Sequence, residues 1–266
     1  GSYRITATLN MQRFSGMILQ GVGLSWNGPI FSGFDEGAGM VQMGNLTNGK
    51  GQRSELIWDS ATANPMFNIT GANALSIRDL SFVGQSGLQG VLTGRAASHA
   101  FYMASEAGWS GGELHFSDCY FYHCAIGVQF GADANPTGPN CADSVFENVA
   151  FINCTNGIKM ATEQSLNMRL FNVGGSITGG TLLWVERGGD VTWIGGAGTF
   201  YSNSTVLKIR GGGPNASTFK ISGWRFEHNN DWPVLIDCNP TNGGMAIIDA
   251  ENISDSTGGQ VNSANA

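Results

Sequence analysis

Three short apolar segments in the last third of the chain, Leu183/Val185, Leu207/Ile209 and Val234/Ile236, each hand over to a charged residue: Glu186, Arg210 and Asp237. Two carboxylates with a guanidinium between them can do acid–base chemistry on a glycosidic bond, one giving a proton and the other activating water. If the segments are successive rungs of one stack, Glu186 and Asp237 stand two strand spacings apart, about 9.5 Å, near the upper end of the separation used for inverting hydrolysis. Arg210 would then bind an acidic sugar or hold one carboxylate ionised. The same trio also reads as a surface ion-pair ladder worth about 0 to 1 kcal/mol per pair.

A second group follows from another strand frame, whose outward positions are Ser76, His115, Val145, Arg169, Trp193 and Lys220, with Arg78, Ser117, Glu147, Phe171 and Ser222 in the column beside it. His115 and Glu147 form a proton-transfer pair, Arg169 and Lys220 offer cations to a uronate, and Trp193 offers an indole face to a sugar ring. An ordinary mixed sheet face, or an interface with another chain, would carry the same residues. A third group, Tyr120, Tyr122 and His123 with Arg225, Glu227 and His228, falls on the next strand. Tyr122 is there a candidate sugar contact, and packing against a loop or subunit is the competing role.

These groups depend on a repeat that brings distant residues into register. Glu113 to Phe130 lies over Asp143 to Met160 at an offset of 30 residues, matching Phe116 with Phe146, Phe121 with Phe151, Cys124 with Cys154 and Gly127 with Gly157. The frame recurs at Ser76 to Phe82, Leu170 to Ser176, Trp193 to Thr199, Lys220 to Phe226 and Ile247 to Ile253. Each unit alternates apolar and polar residues between Gly, Asn or Asp turns, which is strand patterning, and a unit so small must stack on its neighbours to bury its apolar face. The expected fold is all-β: a right-handed, single-stranded parallel β-helix of about eight to nine coils, forming one domain over residues 1–266. A long loop insertion is expected over residues 84–112, carrying His99, Tyr102, Glu106 and Trp109. Asp79, Asp118, Asn148, Asn172 and Asn252 share one turn position, with Gly196 and Gly223 in their place elsewhere, because Asn, Asp and Gly tolerate left-handed backbone. That column reads as structural, and Cys124 and Cys154 as small apolar residues inside the coil.

Composition agrees with strands. There are 40 glycines among 266 residues and only 12% charged residues, a poor mixture for long helices. The net charge of −7, without a Lys/Arg cluster, argues against a nucleic-acid partner. No apolar run approaches the ~20 residues of a membrane-spanning helix, so no membrane attachment is expected. Five cysteines without a CxxC suggest neither a zinc ribbon nor a disulfide framework.

The segments GSYRITATLNM, GMILQGVG and LIWDSATANPMFNITGANALSIRDLSFVG resemble the opening coils of the pectate-lyase-like superfamily, which includes phage tailspikes and polysaccharide-degrading enzymes. The resemblance implies a right-handed β-helix at the cell exterior or on a virion surface. It also implies a polysaccharide partner, hydrolase or lyase activity, and a homotrimer of the tailspike type. No cofactor is implied, apart from calcium if the activity is that of a lyase. The family's GDG-x-x-DD segment and amphipathic capping helix do not appear. Asp-Asp and Gly-His-Gly signatures of its polygalacturonase-like members are also missing, and Lys208-Ile209-Arg210 reverses their Arg-Ile-Lys. A non-catalytic fibre or adhesion module is the alternative from the same resemblance.

Overall fold

A computed structural model describes residues 2–21, 54–60, 62–84, 98–104, 110–134, 137–138, 140–200, 203–211, 217–228, 234–239, 246–251 and 254–255. Among the described residues there are strands, turns and no helix, and every strand pairing is parallel. The chain visits three ladders in cyclic order. A first ladder begins with Ser2–Ile5, Ser54–Trp58, Leu80–Val83 and Tyr120–Tyr122, and ends with Ala197–Phe200, Arg225–His228 and Ser254–Asp255. A second ladder runs from Leu9–Asn10 through Phe67–Asn68, His99–Met103 and Ile126–Phe130 to Thr205–Ile209 and Val234–Cys238. Two long strands, Ala150–Met160 and Gly174–Val185, take part in both and join them into one fifteen-stranded sheet. The third ladder has eight strands: Ile18–Gln20, Ser76–Arg78, His115–Ser117, Val145–Glu147, Leu166–Phe171, Gly189–Ile194, Ser217–Ser222 and Ala246–Glu251.

The 30-residue offset is realised in the pairings His115 with Val145, Phe116 with Phe146 and Phe121 with Phe151. Inward positions form aromatic columns, because in-register parallel strands set like residues over each other. Phe116 and Phe146 stack at 4.7 Å between ring centres, Phe121 and Phe151 at 4.8 Å, and Phe67 and Phe101 at 4.8 Å. Each buried ring contributes about 1.5 to 3 kcal/mol of burial, and each ring pair about 0.5 to 1.5 kcal/mol more. Cys124 and Cys154 are buried in the same interior.

Turns between the third and first ladders repeat one device. Asp79, Asp118, Asn148 and Asn172 all have φ between 51° and 59°. Their side chains bond along the stack, Asn148 Nδ2 donating to Asp118 Oδ1 at 3.2 Å and Asn172 Nδ2 to Asn148 Oδ1 at 3.0 Å. The next residue in this column is Gly195, not Gly196: Asn172 N donates to Ile194 O, and Gly195 N to Ser222 O. Asn252 lies outside the described residues.

The expected insertion over residues 84–112 is not one loop. His99–Met103 is a rung of the second ladder, paired with Phe67–Asn68 and with Ile126–Phe130, because Ala100, Phe101 and Met103 belong in the interior. Glu106 and Trp109 lie outside the described residues.

Candidate functional site

The outer face of the third ladder carries two columns of side chains. One runs Ile18, Ser76, His115, Val145, Arg169, Thr192, Lys220, Asp249; its neighbour runs Gln20, Arg78, Ser117, Glu147, Phe171, Ile194, Ser222, Glu251. His115 and Glu147 come together as expected, with Nε2 3.6 Å from Oε2 and both side chains about half exposed at 45% and 52%. The Nε2 atom itself is shielded from solvent and makes no hydrogen bond. Arg169 stands two rungs from His115 in the same column, exposed, with the 36% exposed ring of Phe171 two residues along the same strand. These four residues occupy one patch. Lys220 is two rungs beyond Arg169, about 19 Å from His115 by strand spacing, and faces Glu251 at 3.5 Å.

Trp193 is not part of this face. Arg169 pairs with Thr192, and Leu170 pairs with Trp193, so the indole points inward and is 0% exposed. Its Nε1 donates to Val173 O at 3.2 Å, and its ring meets Trp224 edge-on at 5.4 Å. In GDVTWI the alternation puts Val191 and Trp193 inside and Thr192 outside, which buries the largest apolar surface in the segment. The exposed apolar groups here are Phe171 and its pairing partner Ile194.

Tyr122 is also withdrawn from solvent. It faces outward from the first ladder, but it is buried with Val83, Tyr120, Ala150 and Ile152 in a second apolar cluster. The rings of Tyr120 and Tyr122 lie nearly parallel, 6.0 Å apart. No sugar can reach that ring without displacing the cluster.

On the second ladder the outward column is Asn68, Tyr102, Gln129, Lys159, Trp184, Lys208, Asp237. Asp237 therefore pairs with Lys208, while Glu186 and Arg210 sit two residues further along their strands. The reason is that the interior pair of the last rung is Ile236/Cys238, and Val234 is exposed. Two rungs and two residues put the Cα atoms of Glu186 and Asp237 on the order of 12 Å apart, beyond the 9.5 Å that the sequence frame gives.

Arg210 grips Asp237 through both guanidinium nitrogens, Nη1 meeting Oδ1 at 2.9 Å and Nη2 meeting Oδ2. These hydrogen bonds hold the Asp237 carboxyl below the usual carboxylate range, with burial pulling weakly the other way. Asp237 is thus a fixed anion and a poor proton donor. Glu186 accepts a hydrogen bond from Trp184 Nε1 at 2.8 Å.

The rest of this ladder is a continuous polar network that the terminal charges alone did not indicate. Lys159, its side chain only 8% exposed, meets Asp133 at 2.8 Å and lies over the Trp184 ring at 4.3 Å; Lys208 lies over the same ring at 4.5 Å. Gln129 Nε2 donates to Gly131 O and to Asp133 Oδ1, which turns its oxygen toward His99 Nε2 at 2.9 Å. His99 therefore carries its proton on Nε2, and burial holds its pKa below the usual histidine value. The signal was present in the sequence, since Trp184 and Lys208 are the residues enclosed by the inward pairs Leu183/Val185 and Leu207/Ile209.

Two sites thus differ in kind. The second-ladder charges answer one another, whereas the third-ladder patch combines an open imidazole and carboxylate with a nearby cation and an exposed ring. Comparison with family models, with curated proteins and with solved structures returned no match to this chain.

Proposed function

We propose that the three ladders are the faces of a right-handed parallel β-helix of the pectate-lyase-like kind, and that the third-ladder face binds and cleaves an extended polysaccharide. The observation that supports this reading is the His115–Glu147 pair, 3.6 Å apart on adjacent rungs and open to solvent, beside Arg169 and Phe171. A phenyl ring gives a sugar an apolar platform, a guanidinium binds its carboxylate or hydroxyls, and the two titratable groups move protons. In a lyase, His115 takes the proton beside a uronate carboxylate that Arg169 neutralises. In a hydrolase, Glu147 gives a proton to the leaving oxygen. Glu186, Arg210 and Asp237 then serve as a structural ion-pair ladder. A site at the cell exterior or on a virion surface, a trimeric assembly, and calcium in the lyase case belong to the same proposal.

The test is a panel of pectic, alginate and bacterial surface glycans, read for new reducing ends and for the ultraviolet absorbance of unsaturated uronates. Wild type is compared with Glu147→Gln, His115→Asn and Asp237→Asn. Reducing ends without absorbance identify a hydrolase, and absorbance identifies a lyase. Loss in the first two variants with retention in Asp237→Asn supports the third-ladder patch; loss only in Asp237→Asn refutes it. The second reading, a non-catalytic fibre or adhesion module, draws on the exposed Phe171–Ile194 pair, which would suit a subunit contact.

A further inference from the structure

The two ends of the stack are alike in geometry and opposite in charge. Among the described residues, the first three strands, Ser2–Ile5, Leu9–Asn10 and Ile18–Gln20, are each paired on one side only, and so are the last three, Val234–Cys238, Ala246–Glu251 and Ser254–Asp255. All six edges belong to the same three ladders. Unpaired edges present rows of N–H and C=O groups that template a further strand.

Apolar exposure is concentrated at these ends. Six of the eight exposed large apolar side chains of the described residues lie there: Tyr3, Leu9, Phe14 and Ile18 at one end, Val234 and Ile247 at the other. The half-buried Leu235, Ile236, Cys238 and Ile248 extend the interior to the second end. Residues 2–21 contain Arg4 and Arg13 and no acid. The described residues from 234 onward contain Asp237, Asp249, Glu251 and Asp255 and neither Lys nor Arg.

We infer that the chain binds a second copy of itself head to tail, the last three strands of one copy pairing in parallel with the first three of the next. Continuing the existing columns by one rung places Leu9 of the next copy over Ile236, Leu19 over Ala250, and Tyr3 and Arg4 beside Asp255. Apolar interior meets apolar interior, and a basic end meets an acidic one. The contact joins two different surfaces, so it does not close on itself, and copies add in an open row. This inference rests on the ladders and is independent of the proposed glycan site.

Sedimentation over a range of protein concentration tests it. The wild type is expected to show a weight-average mass rising with concentration from the 28.1 kDa of one chain, and falling again in high salt. Two variants block one end each at exposed positions: Leu9→Asp with Ile18→Asp, and Val234→Lys with Ile247→Lys. Circular dichroism checks that both keep their strands. Each alone is expected to stay at the mass of one chain, and an equimolar mixture to form a pair and nothing larger. A wild type that remains monomeric throughout, a row that stops at three copies, a singly blocked variant that still self-associates, or a mixture that stays monomeric overturns the inference. Should a variant lose its strands, the wild-type series with its salt dependence decides alone.

Discussion

The ammonium of Lys159 stands 4.3 Å from the centre of the Trp184 ring, one rung away on the second ladder. Lys208, one rung away on the other side, lies 4.5 Å from the same centre. An indole set between two cations is an electrostatic bridge, since each ammonium gains from the ring's negative face without meeting the other directly. Trp184→Ala should cost about 2 kcal/mol in urea unfolding, and Trp184→Phe distinctly less. Lys159→Gln should cost about 1 to 2 kcal/mol, because it leaves Asp133 unpaired at a site still 60% exposed. Denaturant midpoints followed by circular dichroism check all three.

Two glycines six residues or fewer apart should respond in different ways. A Cβ on Gly174 would stand 1.8 Å from Ala197 O, the backbone of the adjacent rung, while one on Gly179 would meet nothing within 4 Å. Gly174→Ala is expected to cost about 3 kcal/mol, because the rung itself must move. Gly179 has φ +70°, so Gly179→Ala should cost only the backbone strain of about 1 kcal/mol. Equal losses in the two unfolding curves would contradict the close stacking of Gly174 on Ala197.

Acid should destabilise the protein in two stages. Burial holds His99 and His123 below the usual histidine value, and Arg210 holds Asp237 below the usual carboxylate value. In each case the unfolded chain takes up its proton at a higher pH than the folded one, so the stabilisation is complete above the unfolded value and is lost as pH falls through the folded one. The melting temperature should therefore begin to fall below about pH 6.5 and fall again below about pH 4. His99→Gln should flatten the first decline and Asp237→Asn the second, as read from thermal melts across pH 3 to 8.

Thiol chemistry should be almost silent in the native state. Cys119, Cys124, Cys141 and Cys154 are buried, and only Cys238 is half-exposed. Burial pushes the Cys141 thiol up to about 12, and the hydrogen bond with Cys154, together with burial, pushes Cys124 up as well. A chromogenic disulfide reagent at pH 8 should titrate at most one thiol rapidly, and all five only after unfolding. Rapid reaction of two or more would contradict the packed interior around Phe121 and Phe151.

The repeat was legible because its turns announce themselves. Where a single Asp or Asn marks the left-handed position, as at Asp118 and Asn148, the frame of the neighbouring strands follows without error, and His115 with Glu147 was placed correctly. At Gly195-Gly196 either glycine could take that position. Choosing Gly196 shifts the strand by one residue, and a one-residue shift exchanges the faces, which is how Trp193 came to be expected in the groove. The Asp237 misplacement is a two-residue shift: Val234/Ile236 and Ile236/Cys238 are equally good interior pairs by type, and a shift of two keeps the face while moving the charge along it. Tyr122 was given its correct face. Its burial is a matter of packing outside the ladder frame, which alternation along one strand does not encode.

The parallel pairing of every described strand gives the protein a mechanical grain. Inter-strand hydrogen bonds run from rung to rung, so tension applied along the ladders loads successive rungs in series, and the terminal three strands should peel away before the middle is disturbed. Tension applied along a strand instead loads all the bonds of that rung together in shear, and much higher forces should be needed to move it. The same bonds make the protein weak in one direction and stiff in the other.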